Sequence, residues 1–233
     1  MHARPPFDAA AARRLRESLG MTPAHVSYGM WAAFGLRIAP ETIAAWELQE
    51  AGPNETELAA LAGALWCAPG DLLGTPRTLH EYRLLKGIAQ SDVALRIGMP
   101  TARYAEVERT GKWTGSDQQA ATLAVTLDLS PRTHIELIGK DGALRGYLRS
   151  AAGSRWQAYV KPVHKLLPTL ERSTVERVLE RLNDEFHKRS FSSLSWISTE
   201  TETGSNSVDA GRQYLDEVTE HFWAHLAALR GTG

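Results

Sequence analysis

Residues 82–113, YRLLKGIAQSDVALRIGMPTARYAEVERTGKW, decide how this chain is read. Gln90 opens a short amphipathic segment with Val93, Ala94 and Ile97 at helical spacing on one face. Gly98 then permits a tight turn, because without a Cβ it meets little resistance at positive φ. Pro100 stands where a second helix begins, a position at which its missing N–H costs nothing. Tyr104 and Val107 fall on the inner side of that helix. Two helices joined by so short a turn cross steeply. The pattern fits a helix-turn-helix, and it equally fits the corner of an ordinary helical bundle.

The pattern occurs twice. Residues 15–73 and 82–138 match in order: LRESLGMTP with YRLLKGIAQ, TIAAWE with RYAEVE, and LAGALWCAP with LAVTLDLSP. The offset is 67 at Gly20 and Gly87, 61 at Glu47 and Glu108, and 62 at Leu65 and Leu127. The first copy therefore carries six extra residues within HVSYGMWAAFGLRIA, an insertion near 27–38, and the loop before its fourth helix differs by one. A repeat of this kind is a duplicated folding unit, so each copy checks the reading of the other.

With these motifs in view, the chain resembles the phage-repressor and Cro type (XRE type) of DNA-binding domain, present in tandem over about 15–140. The resemblance implies an all-α fold: two tandem Cro/repressor-like five-helix domains followed by a C-terminal helical domain. It also implies a partly buried ion pair tying the first helix to the end of the recognition helix. That pair falls on Arg16 and Glu47 in the first copy and on Arg83 and Glu108 in the second. The family's phosphate-contacting glutamine falls on Gln90, with Pro23 in its place in the first copy. Its base-reading positions fall on Pro100, Thr101, Ala102 and Glu106, and in the first copy on Ala39, Pro40, Glu41 and Ala45. Arg103, Arg109 and Lys112, in or just beyond the second recognition helix, and Arg37 and Thr42 in the first copy complete the expected DNA-contacting set.

Charge argues the other way. Residues 1–77 hold 6 Arg/Lys against 8 Asp/Glu, residues 78–140 hold 8 against 7, and the remainder 12 against 12. Non-specific DNA affinity comes mostly from phosphate neutralisation, and no third of this chain is basic. The first recognition helix carries Glu41 and Glu47, with Glu50 just beyond, a poor lining for a groove flanked by phosphates. The second copy is therefore expected to be the main reader.

The expected organisation is a leader at 1–8, a first domain over 9–74, a linker at 75–78, a second domain over 79–140 and a C-terminal region over 150–233. Asp8 is the expected N-cap of the first helix. The inserted Tyr28, Met30, Trp31 and Phe34 lengthen the second helix; its aromatics pack against the other repeat, with an exposed partner patch and an ordinary loop as the alternatives. In the C-terminal region, Trp156, Val160, Val163 and Leu167 form one helical stripe, and Ser173-x-x-Glu176 is a capping box. Residues 190–207 hold ten serines and threonines and read as a loop or short strand pinned by Phe191, Leu194, Trp196 and Ile197. A last helix presents Leu215, Val218, Phe222, Leu226 and Leu229, expected to pair two chains into a homodimer; docking on the same chain and a sensing pocket are the alternatives.

Chemistry beyond binding finds little support. The single cysteine, Cys67, excludes an intrachain disulfide and reads as a small buried hydrophobe. His221 and His225 are four apart, with Glu217 a turn earlier, but lack the H-E-x-x-H order, and a polar helix face explains them. No metal, no cofactor and no enzymatic activity are expected. No run of eighteen apolar residues suggests a membrane span, and the N-terminus lacks the apolar core of a secretory signal, so a cytoplasmic, nucleoid-associated bacterial protein is expected. The expected function is a sequence-specific transcriptional regulator binding double-stranded DNA, with a protein or small-molecule effector open. The alternative is a non-enzymatic protein-interaction module, an antitoxin or developmental adaptor, on the same scaffold.

Overall fold

Asp8 accepts the backbone N–H of Ala11 through Oδ1 and starts α1 (Ala9–Ser18). In a computed structural model of the protein, which describes residues 5–192 and 211–230, several of the helices that follow are capped by side chains in the same way. Thr22 caps α2 (Pro23–Phe34), and Asn54 and Glu57 form a reciprocal capping box at α4 (Glu55–Ala64), after α3 (Pro40–Glu47). A 3-10 turn, Pro69–Leu72, leads into α5 (Leu79–Leu85), where Thr78 and Glu81 make another such box. Then come α6 (Gln90–Arg96), α7 (Thr101–Thr110), α8 (Asp117–Thr126), α9 (Pro131–Leu137) and α10 (Asp141–Gly153). A second 3-10 turn, Trp156–Tyr159, precedes α11 (Val160–Leu166), α12 (Arg172–Ser192), a helical stretch over 211–216 and α13 (Val218–Arg230). The described residues are all-helical, with a single extended bridge between Phe7 and Leu73. None of the described helices is long and apolar enough to cross a membrane.

Equivalent positions of the two copies are buried alike: Val26 and Val93, Ile43 and Tyr104, Trp46 and Val107, Leu61 and Leu123, Leu65 and Leu127. The main chain repeats as well. Gly20 and Gly87 share φ near +63, at +64 and +62, and Trp66 and Asp128 are both left-handed at +54 and +52. Of the six extra residues, five lengthen α2 relative to α6 and the sixth lengthens the turn that follows.

The chain divides into a pair of compact units, Met1–Thr114 and Gly115–Gly233. The boundary falls inside the span expected for the second copy, and the segment expected as a linker at 75–78 lies within the first unit instead of between units. The reason is that α5 places Leu84 in the core built by Val26, Met30, Ile43, Trp46, Leu58 and Leu61. The leader is also shorter than expected. Asp8 N–H donates to the Leu72 carbonyl at 2.9 Å and Gly74 N–H to the Pro6 carbonyl at 2.7 Å, so residues 6–8 are tied down.

The second unit gathers Leu144, Leu148, Val163, Leu167, Val175, Leu179, Leu182, Tyr214 and Phe222 into one core. It begins well before residue 150, the expected start of the C-terminal region, because α10 buries Leu144, Leu148, Ala151 and Ala152 in this core. Helix α12 starts at Arg172, so Ser173 lies inside the helix, its hydroxyl 3.4 Å from Glu171 Oε2, rather than at the expected cap. The stripe assigned to a dimer needs correction. Val218, Phe222 and Leu226 are buried within the chain's own core, with Leu215 and Leu229 packed at its edge. Helices α10 and α12 supply the apolar cover that a second chain was expected to bring. The pinned-loop reading of 190–207 falls mostly on residues outside those described.

Candidate nucleic-acid interface

Helix α7 has two faces. Tyr104 and Val107 are buried at 0% and 1% exposure, whereas Thr101, Ala102, Arg103 and Glu106 all lie at the surface. Between α6 and α7 the chain turns within residues 97–100, with Gly98 at φ +66. Pro100 is the N-cap of α7 rather than its first helical residue, one position earlier in the helix than its sequence suggests. In the first copy Pro40 does occupy the first turn of α3. Lys112 is exposed just past Gly111, whose left-handed backbone closes α7.

The exposed cations are not idle. Arg109 holds Glu106 through two bonds, Nε–Oε2 at 2.8 Å and Nη2–Oε1 at 2.5 Å, and Arg103 reaches the hydroxyl and carbonyl of Thr114. The Arg109 bond keeps the Glu106 carboxyl below the usual carboxylate range. Exposed pairs of this kind contribute little to stability, about 0–1 kcal/mol, so both partners can be redirected toward a ligand at small cost.

Behind the surface lies the anchor. In each copy an arginine on the first helix binds the glutamate toward the end of the third, α3 or α7, and the backbone carbonyl five residues further along its own chain. Arg16 donates to Glu47 at 2.6 and 2.7 Å and to the Met21 carbonyl at 2.7 Å. Arg83 donates to Glu108 at 2.7 and 3.3 Å and to the Ile88 carbonyl at 3.0 Å. The second pair is the deeper, with side chains 2% and 1% exposed against 11% and 9% in the first. Burial opposes ionisation of Glu108, but hydrogen bonds from His80 and Arg83 outweigh it and hold the carboxyl at about 2. Burial likewise opposes the Arg83 charge, and the bonds to Glu55 and Glu108 more than offset it. Tyr104, buried beside Glu108, is pushed upward by that burial and by the neighbouring carboxylate.

Gln90, the expected phosphate contact, is half-buried, and its Nε2 donates to Glu108 Oε2 at 2.8 Å. Sequence reasoning missed two further members of this cluster. Glu55, the first residue of α4, accepts from Arg83 Nη1 at 2.8 Å, and His80 Nδ1 lies 3.3 Å from Glu108 Oε2. His80 stands three residues before Arg83 on α5, a spacing that places both on one helix face; Glu55 carries no local signal, and finding it requires knowing that the start of α4 faces α5.

The first copy offers a different surface. Arg37 and Glu41 are exposed, Pro40 and Thr42 half-buried. Tyr28, Trp31 and Phe34 are 66%, 46% and 49% exposed, so the inserted aromatics do not disappear against the other repeat. Phe34 lies across Gly63, while Tyr28 and Trp31 stack edge to face at 5.8 Å and line an open groove of about 600 Å³ with Arg37, Ile38 and Pro40. Elsewhere, His225 Nε2 lies 2.8 Å from Glu185 Oε2 and His221 stacks on Tyr214, so the two histidines face different partners. No cluster of three or more metal-ligating side chains occurs among the described residues. No protein-family model, curated protein or solved structure matches this chain.

Proposed function

We propose that this chain is a sequence-specific transcriptional regulator of double-stranded DNA, built on two repressor/Cro-type repeats, with α6 and α7 as the reading helix-turn-helix. The observation that carries the reading is the recurrence of the arginine–glutamate–carbonyl anchor in both copies, behind a recognition helix whose outer residues remain at the surface. An anchor of this kind fixes the angle of the helix, and a fixed helix is what a groove of set width demands. Thr101, Ala102 and Glu106 then face base edges, while Gln90, Arg103, Arg109 and Lys112 face phosphates.

Selection of bound duplexes from a random pool by the full chain tests this directly. Enrichment of one motif, bound with an affinity that falls steeply with salt, supports the reading. Recovery of no motif, with gel shifts that do not discriminate between sequences, overturns it.

The first copy favours a second reading for itself. Its exposed Tyr28, Trp31 and Phe34, with Arg37 over the Trp31 ring, suit contact with a protein, and the exposed Glu41 and Glu50 of the same copy disfavour contact with phosphates. On this reading the first copy is an interaction module and the second copy is the reader.

A further inference from the structure

The two anchors are not built alike. In the first copy the fork between Arg16 and Glu47 is even, Nε–Oε1 at 2.6 Å and Nη2–Oε2 at 2.7 Å. In the second it is lopsided: Arg83 Nε meets Glu108 Oε1 at 2.7 Å, but Nη2 stands 3.3 Å from Oε2. An imidazole and a second carboxylate accompany the difference: His80 Nδ1 lies 3.1 Å from Arg83 Nη2 and 3.3 Å from Glu108 Oε2 and stays in place whichever way the guanidinium is drawn, whereas Glu55 is the group that pulls on its far edge. Glu55 accepts from Arg83 Nη1 at 2.8 Å and from Nη2 at 3.2 Å. In the first copy the nearest rival acid, Glu17, comes only within 3.7 Å of Arg16 Nη2. The oxygen that Arg83 holds loosely, Glu108 Oε2, is the one that accepts Gln90 Nε2 at 2.8 Å. Where the fork is even, Pro23 stands in the place of Gln90 and no amide has to be accommodated.

We propose that Glu55 of the first copy is a positioning residue for Gln90 of the second: by drawing the Arg83 guanidinium toward itself, it leaves Glu108 Oε2 to the Gln90 amide. Nη2 carries two in-plane N–H groups and can point one at each carboxylate, but the guanidinium moves as a rigid plane, so a pull on its Nη1–Nη2 edge toward Glu55 lengthens the Nη2–Oε2 contact. Without Glu55 the fork closes toward the even form seen at Arg16, and the charged donor competes more strongly with the neutral amide at Oε2. Gln90 then loses the contact that aims it. The last step, in which an aimed Gln90 meets a phosphate, rests on the DNA-binding reading; the arrangement of bonds does not.

The test uses the full chain, labelled with nitrogen-15, as wild type and as Glu55→Ala. The Gln90 side-chain amide resonances are expected to shift, and their hydrogen exchange to accelerate by about tenfold or more as a bond to a charged acceptor is lost. Affinity for the duplex that the wild type selects from a random pool is expected to fall by roughly three- to tenfold, the range of a contacting pair's coupling. Removing an acidic residue alone acts in the opposite direction, since it lowers repulsion from phosphates; Glu50→Ala serves as that control. In a Gln90→Ala background, Glu55→Ala is expected to cause no further loss. Gln90 resonances that do not move in Glu55→Ala overturn the proposal, whatever the DNA result. Resonances that move while affinity holds or rises overturn the role in binding. If the wild type selects no duplex, the DNA-binding reading falls, and the amide signal still decides whether Glu55 positions Gln90. Should Glu55→Ala fail to fold, Glu55→Gln removes the charge while keeping an acceptor, and the same readouts apply.

Discussion

A Cβ placed on Gly70 would lie 2.7 Å from the carbonyl oxygen of Leu85, so the turn that ends the first copy and the first helix of the second touch main chain to main chain. Gly70→Ala forces backbone apart at this seam and is expected to cost about 2–3 kcal/mol, at the upper end of overpacking penalties. Gly20→Ala meets open space but must keep φ at +64, a strain of about 1–2 kcal/mol. Thermal unfolding of both variants should rank Gly70→Ala as the more damaging. The reverse order would mean the seam gives way easily.

Glu108 gives the fold a pH signature. A carboxyl held at about 2 in the folded chain, against about 4.3 when unfolded, favours folding fully above the higher value. That contribution, about 3 kcal/mol, is lost as pH falls from roughly 5 toward 2. Urea titrations across that range should show Glu108→Gln flattening the acid limb of the stability curve. At pH 7, Glu108→Ala is expected to destabilise by about 3 kcal/mol, because Arg83 stays buried with some of its pairing gone. A variant whose acid limb matches the wild type would assign the acid sensitivity elsewhere.

Asn183 closes the end of α10. Its Nδ2 lies 3.1, 2.8 and 3.0 Å from the carbonyls of Ala151, Ala152 and Ser154, groups that a helix C-terminus leaves without intrahelical donors. Asn183→Ala is expected to cost about 1–2 kcal/mol. Asn183→Asp should cost more at neutral pH, since it sets a carboxylate against three carbonyl oxygens, and should recover partly in acid. Equal losses for the two variants, independent of pH, would show that the amide's volume matters rather than its donors.

Base preference should follow the outer face of α7. Thr101→Ala or Glu106→Ala is expected to alter the selected motif at particular positions, by about 1–3 kcal/mol each, whereas Gln90→Ala and Lys112→Ala weaken binding to all sequences. Motifs selected in parallel by the four variants separate these outcomes. If Pro40→Ala and Glu41→Ala abolish binding while the four changes leave it intact, the reader is the first copy.

Phe222 tests the reassigned last helix. Fully buried in the second unit's core, it should cost about 3–5 kcal/mol when cut to alanine, with no change in mass by light scattering. Loss of a dimer at unchanged melting temperature would return that face to subunit pairing.

The helix ends were readable where their signals are local: Asp8 and the glycine at 98 act within a turn of where they stand. The anchors were readable because the resemblance to repressor-type domains implies such a pair and both members stand at the matching places in each copy. What the sequence hid is longer-ranged. Val218, Phe222 and Leu226 form a stripe that periodicity detects, but periodicity cannot say whether the cover comes from α12 of the same chain or from another chain. Glu55 looked like a helix-starting acid, and its second bond depends on which face α5 turns toward it. Tyr28, Trp31 and Phe34 are large and apolar, and only their packing shows that α2 carries them outward.

Trp66 and Asp128 have opposite chemistry, yet both hold φ near +53, at +54 and +52. A tryptophan gains nothing locally from that conformation, whereas an aspartate tolerates it well. Between the repeats, then, the sign of a backbone angle has outlasted the residue that adopts it. Distant kin of this unit are better sought by where the main chain turns left-handed, at the equivalents of 20 and 66, than by letter-for-letter likeness, and Trp66→Gly should relieve the member of the Trp66–Asp128 pair that is ill suited to its angle.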